Sequence, residues 1–289
     1  MNVLEAFVLG LVQALTEFLP ISSSAHIRVL GELMGKDPGA AFTAIVQLGT
    51  ELAVLIYFRR DLVKIAKSWF GSLPGLWQKA RGRNIRHAAP LDAHARLGWM
   101  IIVGSVPIVI LGVLLEDYID FALRNLWITA TMLIVFGLIL GWADRTGATK
   151  LKLTDMKWGQ ALIYGFAQAA ALIPGVSRSG GTITAGRLMG FTRPEAARYS
   201  FLLAMPAVFG SGLYKLVKGD TSGATVAFWP TLVATVVSFG AGYLVIVGFL
   251  KLVQTRTFMP FVLYRFVAGA TIIVLLLTGA VPALPRIGG

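Results

Sequence analysis

Long apolar runs alternate along the chain with short polar linkers that are mostly basic, and the length of each run limits what it can become. A helix that crosses the hydrocarbon core needs roughly 20 apolar residues, whereas runs of about 10 to 14 suit re-entrant or buried segments. Six runs reach the first class, approximately Phe42 to Phe58, Gly98 to Leu115, Leu126 to Ala143, Ala197 to Tyr214, Phe228 to Leu250 and Phe258 to Thr278. Two fall in the second: Ala6 to Leu19, stopped by Pro20, and Ala161 to Ile173, stopped by Pro174 and Gly175. Proline ends a helix because it lacks the N–H and clashes with the preceding turn. Each short run is therefore expected to halt inside the membrane, turn through its Ser/Gly segment and return as a half-helix, Ser24 to Met34 or Thr182 to Met189. Backbone turning at that depth is permitted only inside protein or around a wet cavity. The two turns are expected to line one.

The short runs are copies of each other. QALTEFLPISSSAH, Gln13 to His26, lies on QAAALIPGVSRSGG, Gln168 to Gly181, at a constant offset of 155, with Gln13 on Gln168, Ser22 on Ser177 and Ser24 on Ser179. The copies differ in chemistry: Glu17 falls on Leu172, Ser23 on Arg178 and His26 on Gly181. Each copy precedes three crossings, an odd number, so the second half enters the bilayer from the opposite side. The pattern predicts an all-α integral membrane protein, an inverted-topology repeat of six transmembrane helices plus two re-entrant helix-loop-helix pairs that meet near the midplane. Residues 1–289 form a single polytopic domain in this reading, with repeat one at about 1–145 and repeat two at about 156–280.

Composition agrees: 56% of residues are hydrophobic and 14% charged, against about 25% charged in soluble domains. Mean hydropathy is +0.74. No basic stretch precedes the first apolar run, so that run is expected to be retained rather than cleaved as a signal peptide. The absence of cysteine excludes disulfides, thiolate metal sites and cysteine nucleophiles. A net charge of +12 could suggest nucleic acid, but the basic residues sit in linkers, where cytoplasmic loops collect them, and no nucleic-acid partner is expected. The loop after the first crossing holds Arg59, Arg60, Lys64, Lys67, Lys79, Arg81, Arg83, Arg86 and Arg96 against Asp61 and Asp92, and is expected to be cytoplasmic. Counting crossings from there puts both termini, and the mouth of the first hairpin, on the outer, periplasmic side of the membrane.

The loop after Pro20 offers consecutive serines at a helix start, and exposed amides at such a start bind phosphate. The second loop adds Arg178, which forms bidentate, charge-assisted bonds with phosphate. An arginine at membrane depth costs at least about 2.5 kcal/mol on insertion scales and needs an anionic partner. Glu17 could pair with it or hold a divalent cation against phosphate oxygens, and Gln13, four residues earlier, shares its helix face. Ser23 becomes a nucleophile if a base takes its proton, with His26 and Glu17 within about a turn. Plainer roles compete: small residues permit close helix packing, His26 could be a packed histidine, and Glu17 with Arg178 a structural ion pair. His87 and His94 sit in the basic segment and read as solvated. Gln47 and Glu51 share one face of a span, outside either helix break, and Glu51 is a possible cavity residue. Trp99, Trp127, Trp142, Trp158 and Trp229 fall near span ends, as interfacial anchors do.

These residues resemble a known family. QALTEFLPISSSAH is similar to the (E/Q)xxxE-FLP-SSxxH motif of the bacitracin-resistance family of undecaprenyl-diphosphate phosphatases, and PGVSRSGG resembles its second motif, PGxSRSG. FTAIVQLGTELAVLIYFRRDL, YSFLLAMP and FMPFVLYRF look like further family segments in the same order. The resemblance implies hydrolysis of a C55 polyprenyl diphosphate lipid carrier to the monophosphate and inorganic phosphate in the bacterial inner membrane, with a divalent cation, Mg²⁺ or Ca²⁺, and bilayer lipid around the protein. It implies Glu17, Ser23, His26 and Arg178 as the catalytic set, Glu17 as the metal ligand, and Gln13, Ser22, Ser24, Ser177, Ser179 and Gly180 as substrate-binding. Family members with Glu at position 13 have a second carboxylate there; this chain has Gln13. Ser23 and His26 both stand open as nucleophile, and a transporter of lipid phosphate or anions is the rival class, since inverted repeats with broken helices serve transport too. Oligomeric state and the choice of metal also stay open.

Overall fold

The structure is a computed structural model and describes residues 1–35, 39–81, 91–120, 122–218 and 227–284. Its helices are α1 (Val3–Glu17), α2 (Ser23–Leu33), α3 (Gly39–Tyr57), α4 (Arg59–Ala80), α5 (Ala93–Leu114), α6 (Glu116–Asp120), α7 (Leu126–Thr146), α8 (Trp158–Ala169), α9 (Arg178–Leu188), α10 (Arg193–Lys218), α11 (Phe228–Thr255) and α12 (Met259–Leu277). Short 3₁₀ turns cover Ala122–Arg124, Leu153–Asp155 and Ala170–Leu172. Among the described residues no β-strand forms, only an isolated bridge between Leu151 and Phe191. Four helices, α5, α7, α11 and α12, are long and apolar enough to cross a membrane, and α3 with α4 makes a fifth candidate bent by 78°. The chain is a multi-pass membrane protein.

Local sequence explains where the short helices begin. Asn2 caps α1 and exchanges hydrogen bonds with Glu5 in a capping box, which satisfies amides the first turn leaves orphaned. Asp92 and Asn125 cap α5 and α7 with a single bond each, accepting from the Ala95 and Trp127 amides. The half-helix expected over Thr182 to Met189 starts four residues earlier, at Arg178, because the Ser177 hydroxyl accepts the Gly180 amide and serves as N-cap. Its paired glycines are therefore helical, and Arg178 belongs to the first turn rather than to a loop.

A second difference concerns the basic segment after the first crossing. Expected as a loop, it is helix α4 from Arg59 to Ala80, with its Ile65 and Trp69 on α5 at Gly98. Trp99 joins that contact, its half-buried ring 5.3 Å from Trp69. Trp127, Trp142, Trp158 and Trp229 are exposed, as interfacial anchors require. His94 is exposed in the first turn of α5; His87 lies outside the described residues.

In lipid, apolar burial does not drive helices together, so association rests on close backbone approach and polar bonds. Glycine supplies the approach at two related places. Gly10 of α1 meets the backbone of Ala234 in α11, and Gly165 of α8, at the same offset of 155, meets the backbone of Gly104 in α5. A side chain at either would collide with the facing main chain. α10 sits in the interior beside α3 and α9, its Tyr199, Leu202 and Leu203 fully enclosed and its Phe201 ring 5.4 Å from Phe18 at the end of α1. The first helix break is thereby pressed against the second half of the chain.

Candidate active site

The two breaks share an unusual backbone. Ser22 has φ +72° and Ser177 φ +69°, the two positive-φ non-glycine residues among the described ones. Such conformations cost of order 1–3 kcal/mol and persist where the surroundings over-determine them. Gly175, two residues before Ser177, takes φ +95° and lies against the Thr129 carbonyl of α7. Much of the enforcement comes from Arg265 of α12, which is fully buried. Its guanidinium donates to the Pro20 carbonyl of the first break at 3.0 Å, to Gly175 and Val176 of the second at 2.8 and 3.1 Å, and to Leu133 and Met132 of α7 at 3.0 and 3.2 Å. One cation thus ties the carbonyl side of both turns to α7, leaving the opposite side for side chains at the helix starts.

On that side the side chains converge on Glu17, the last residue of α1. Its Oε2 accepts from Ser23 Oγ at 2.5 Å and from Gln13 Nε2 at 2.7 Å. Its Oε1 accepts from Arg178 Nη2 at 2.5 Å and from Gln47 Nε2 at 2.7 Å. The same Nη2 reaches Glu51 Oε1 at 2.7 Å. Glu17 and Glu51 are buried, and in that environment they face each other only because the guanidinium stands between them. Burial of charges is tolerable when they are paired and hydrogen-bonded.

The pairing is incomplete in an informative way. Gln13 Oε1, Glu51 Oε2 and Arg178 Nη1 are buried atoms without a hydrogen-bond partner. Buried polar atoms are nearly always satisfied, and exceptions call for an explanation such as an ion or ligand. Two acceptors and one charge-assisted donor, pointing from three elements around one carboxylate pair, match the needs of a cation and a phosphate oxygen. No group of three or more His, Asp or Glu side chains converges among the described residues. A cation here would rest on Glu17, Glu51, the Gln13 amide oxygen and the ligand's own oxygens, a donor set that magnesium commonly accepts.

The remaining candidates fall into two groups. His26 is on α2 one turn beyond Ser23, but its bonds lead away from Glu17: Nδ1 lies 2.7 Å from the Ser22 carbonyl and Nε2 2.7 Å from the Tyr264 hydroxyl of α12. The two rings also stack, with centroids 5.5 Å apart. The serines bond within the breaks, and Ser177 and Ser179 also hold backbone. Ser22 and Ser24 share a 3.2 Å bond, as do Ser177 and Ser179, while Ser179 donates across to the Leu19 carbonyl at 2.9 Å. The Gly180 amide is taken by Ser177 at 3.1 Å. Gln47 and Glu51 of α3, which belong to neither break, stand in the cluster. Tyr264 and Arg265 lie outside that cluster, on His26 and on the carbonyls of the two turns, and the sequence signal for Arg265 was its charge within an otherwise apolar span.

An apolar groove of about 340 Å³ opens at His26 and Tyr264 and runs between α1, α2 and α12, past Val12, Val29, Val267 and Ile272.

Comparison with known proteins gives a consistent family. The profile described as bacitracin resistance protein BacA matches residues 6–271. The chain is 56% identical over 285 residues to Undecaprenyl-diphosphatase 2 of Agrobacterium fabrum, covering 98% of this chain and 99% of that protein. It is 53% identical over 293 residues to the undecaprenyl-diphosphatase of Bifidobacterium longum subsp. infantis, with 98% and 97% covered, and 55% identical over 281 residues to that of Paenarthrobacter aurescens, with 96% and 98% covered. The chain belongs to the bacitracin resistance protein BacA family.

Proposed function

We propose that this chain is an undecaprenyl-diphosphatase, hydrolysing the polyprenyl diphosphate carrier to the monophosphate and inorganic phosphate. One observation carries the reading: Arg178 of one helix break stands between Glu17 and Glu51, while the Ser23 hydroxyl of the other break donates to Glu17 at 2.5 Å. A hydroxyl on a carboxylate beside a guanidinium with a free arm is an arrangement for phosphoryl transfer, in which positioning and charge stabilisation supply most of the catalysis.

In the reaction, Arg178 Nη1 takes a phosphate oxygen without surrendering either carboxylate. Ser23 Oγ attacks the terminal phosphorus as its proton passes to Glu17, and the bond from that phosphorus to the bridging oxygen breaks, releasing the lipid monophosphate. Water then displaces the serine from phosphorus, giving inorganic phosphate and restoring the hydroxyl. His26, held by Tyr264, is placed for proton exchange at the groove end. Gln13 joins the substrate contacts through its amide oxygen, and Ser22, Ser24, Ser177, Ser179 and Gly180 hold the turn shapes around the headgroup. A divalent cation, Mg²⁺ or Ca²⁺, held by Glu17, Glu51 and Gln13, would neutralise the diphosphate charge. The apolar groove beside His26 would take the first few isoprene units, with bilayer lipid solvating the rest.

The finer architecture belongs to the same proposal. Six crossings and two re-entrant pairs form an inverted repeat of about 1–145 and 156–280, and its support is an exchange of packing: α1 lies on α11, while its counterpart α8 lies on α5, the counterpart of α11. The linker charges orient both termini and the site mouth toward the periplasm.

Purified protein in detergent, given undecaprenyl diphosphate and Mg²⁺, is expected to release phosphate, and Glu17→Gln and Ser23→Ala to lose that release. Unchanged release in both variants would refute the assignment. Failure of the unaltered chain to release phosphate, with lipid phosphate moved across vesicles instead, would favour transport.

A further inference from the structure

Helix α4 has a face that the proposed reaction does not use. Its inner side, Ile65 and Trp69, packs on α5. On the outer side Val63, Phe70 and Trp77 are 51%, 63% and 58% exposed. They recur every seven residues, so at 3.6 residues per turn they form one line along the helix. Large apolar side chains left in water on this scale mark a surface that something covers.

The positions of the charges say what. Arg60, Lys64 and Lys67 fall beside the apolar line, on its flank away from the α5 contact, and are not buried. Asp61, the acid in α4, is neutralised by Arg198 at 2.8 Å. The helix leaves α3 at 78°, so with α3 across the bilayer α4 runs nearly along the membrane surface. Arg81 stacks over Trp77, its guanidinium carbon 3.4 Å from the ring centroid, an arrangement that suits the boundary between acyl chains and headgroups. An apolar line with a basic flank, parallel to the membrane, is the signature of a helix lying in the interface and attracted by anionic lipid.

We infer that α4 is an interfacial helix that docks on anionic phospholipid headgroups, with Val63, Phe70 and Trp77 among the upper acyl carbons and Arg60, Lys64 and Lys67 on lipid phosphates. The surface shares no residue with the Glu17 cluster and does not depend on the reaction assigned to it.

The cysteine-free chain permits a direct test by single spin labels. Full-length Phe70→Cys and Lys64→Cys proteins, each labelled with a nitroxide, are reconstituted into phosphatidylcholine vesicles with or without phosphatidylglycerol. With phosphatidylglycerol, the label at 70 should be more accessible to oxygen than to an aqueous nickel chelate, and the label at 64 the reverse. Omitting phosphatidylglycerol, or adding Arg60→Gln and Lys67→Gln to Phe70→Cys, should move the label at 70 toward water. A label at 70 as open to the nickel chelate as the one at 64 would overturn the inference. So would depth indifferent to both lipid charge and the two substitutions, or dipolar broadening between labels, which would mean that a second copy of the chain covers the face. Phosphate release by the labelled proteins checks that they are folded.

Discussion

At the first break Ser22 holds φ +72° and passes the chain to α2 at Ser23; at the second, Ser177 holds φ +69° and passes it to α9 at Arg178. Ser23 and Arg178 are equivalent under the internal offset, each the first residue of its half-helix, and both bond the Glu17 carboxylate, one on each oxygen, at 2.5 Å. The acid has no such twin, since its equivalent is Leu172. A shared backbone thus aims two first-turn side chains at one point, and in the proposed reaction the asymmetry of residue type makes that point a nucleophile, a base and an anion clamp. Likeness of backbone at the two breaks secures the geometry, and under the proposed mechanism their difference in side chains supplies the chemistry.

The sharpest way to break this division is to remove the second half's contribution. Arg178→Ala leaves Glu17 and Glu51 face to face and should lower phosphate release about a thousandfold, at the upper end for losing one charge-stabilising donor. Arg178→Lys should restore little, because an ammonium cannot fork between two carboxylates and a phosphate. Steady-state phosphate assays check both.

Arg265 serves both breaks alike, so its loss should not distinguish them. Arg265→Met leaves carbonyls of Pro20, Gly175 and Val176 without their donor, and unsatisfied buried groups cost about 1–3 kcal/mol each. Thermal unfolding in detergent should show a markedly lowered midpoint, with the folded remainder impaired in activity. An unchanged midpoint would mean that the turns hold their shape without the clamp.

Glu51→Gln asks whether the acid of α3 is a partner of the first break or only a counter-ion for the second. As a partner in binding a cation, its loss should cut activity about a hundredfold, roughly 2.7 kcal/mol, and raise the Mg²⁺ concentration needed for half-maximal rate. As a counter-ion alone, it would leave the Mg²⁺ dependence unmoved.

The smallest effect compares the two serines at positive φ. Glycine accepts that backbone freely, so Ser22→Gly should be neutral or slightly stabilising. Ser177→Gly gains the same relief but forfeits the cap on the Gly180 amide, a loss of a few tenths of a kcal/mol when glycine replaces serine. The difference between the two unfolding midpoints should therefore be small and favour Ser22→Gly.

Much of this was legible in the sequence for physical reasons. Pro20 and Pro174 cut their helices too short to span, and the offset repeat paired the cuts, which was enough to bring Glu17, Ser23 and Arg178 together in expectation. The start of α9 was misjudged because consecutive glycines suggested a loop, whereas the Ser177 cap makes them helical. Helix α4 was hidden by its charge: five basic residues lower its hydropathy and imitate a linker, although the spacing of Val63, Phe70 and Trp77 carries helical period. Glu51 was visible as a carboxylate in a span, but its destination depends on how α3 packs, which no local pattern encodes. Arg265 was equally visible as an intramembrane charge, and its partners are main-chain carbonyls, which leave no trace in residue identity.

The bond between Glu17 and Arg178 spans 161 residues of sequence. At synthesis rates of about 5–20 residues per second, the acid waits roughly 10–30 s for its guanidinium. For that interval a nascent chain holds Glu17 and Glu51 with no guanidinium between them, and by the proposed mechanism it cannot yet cleave a lipid. If the proposed mechanism holds, catalytic competence is a late event in the birth of each molecule, arriving only when the second break has packed against the first.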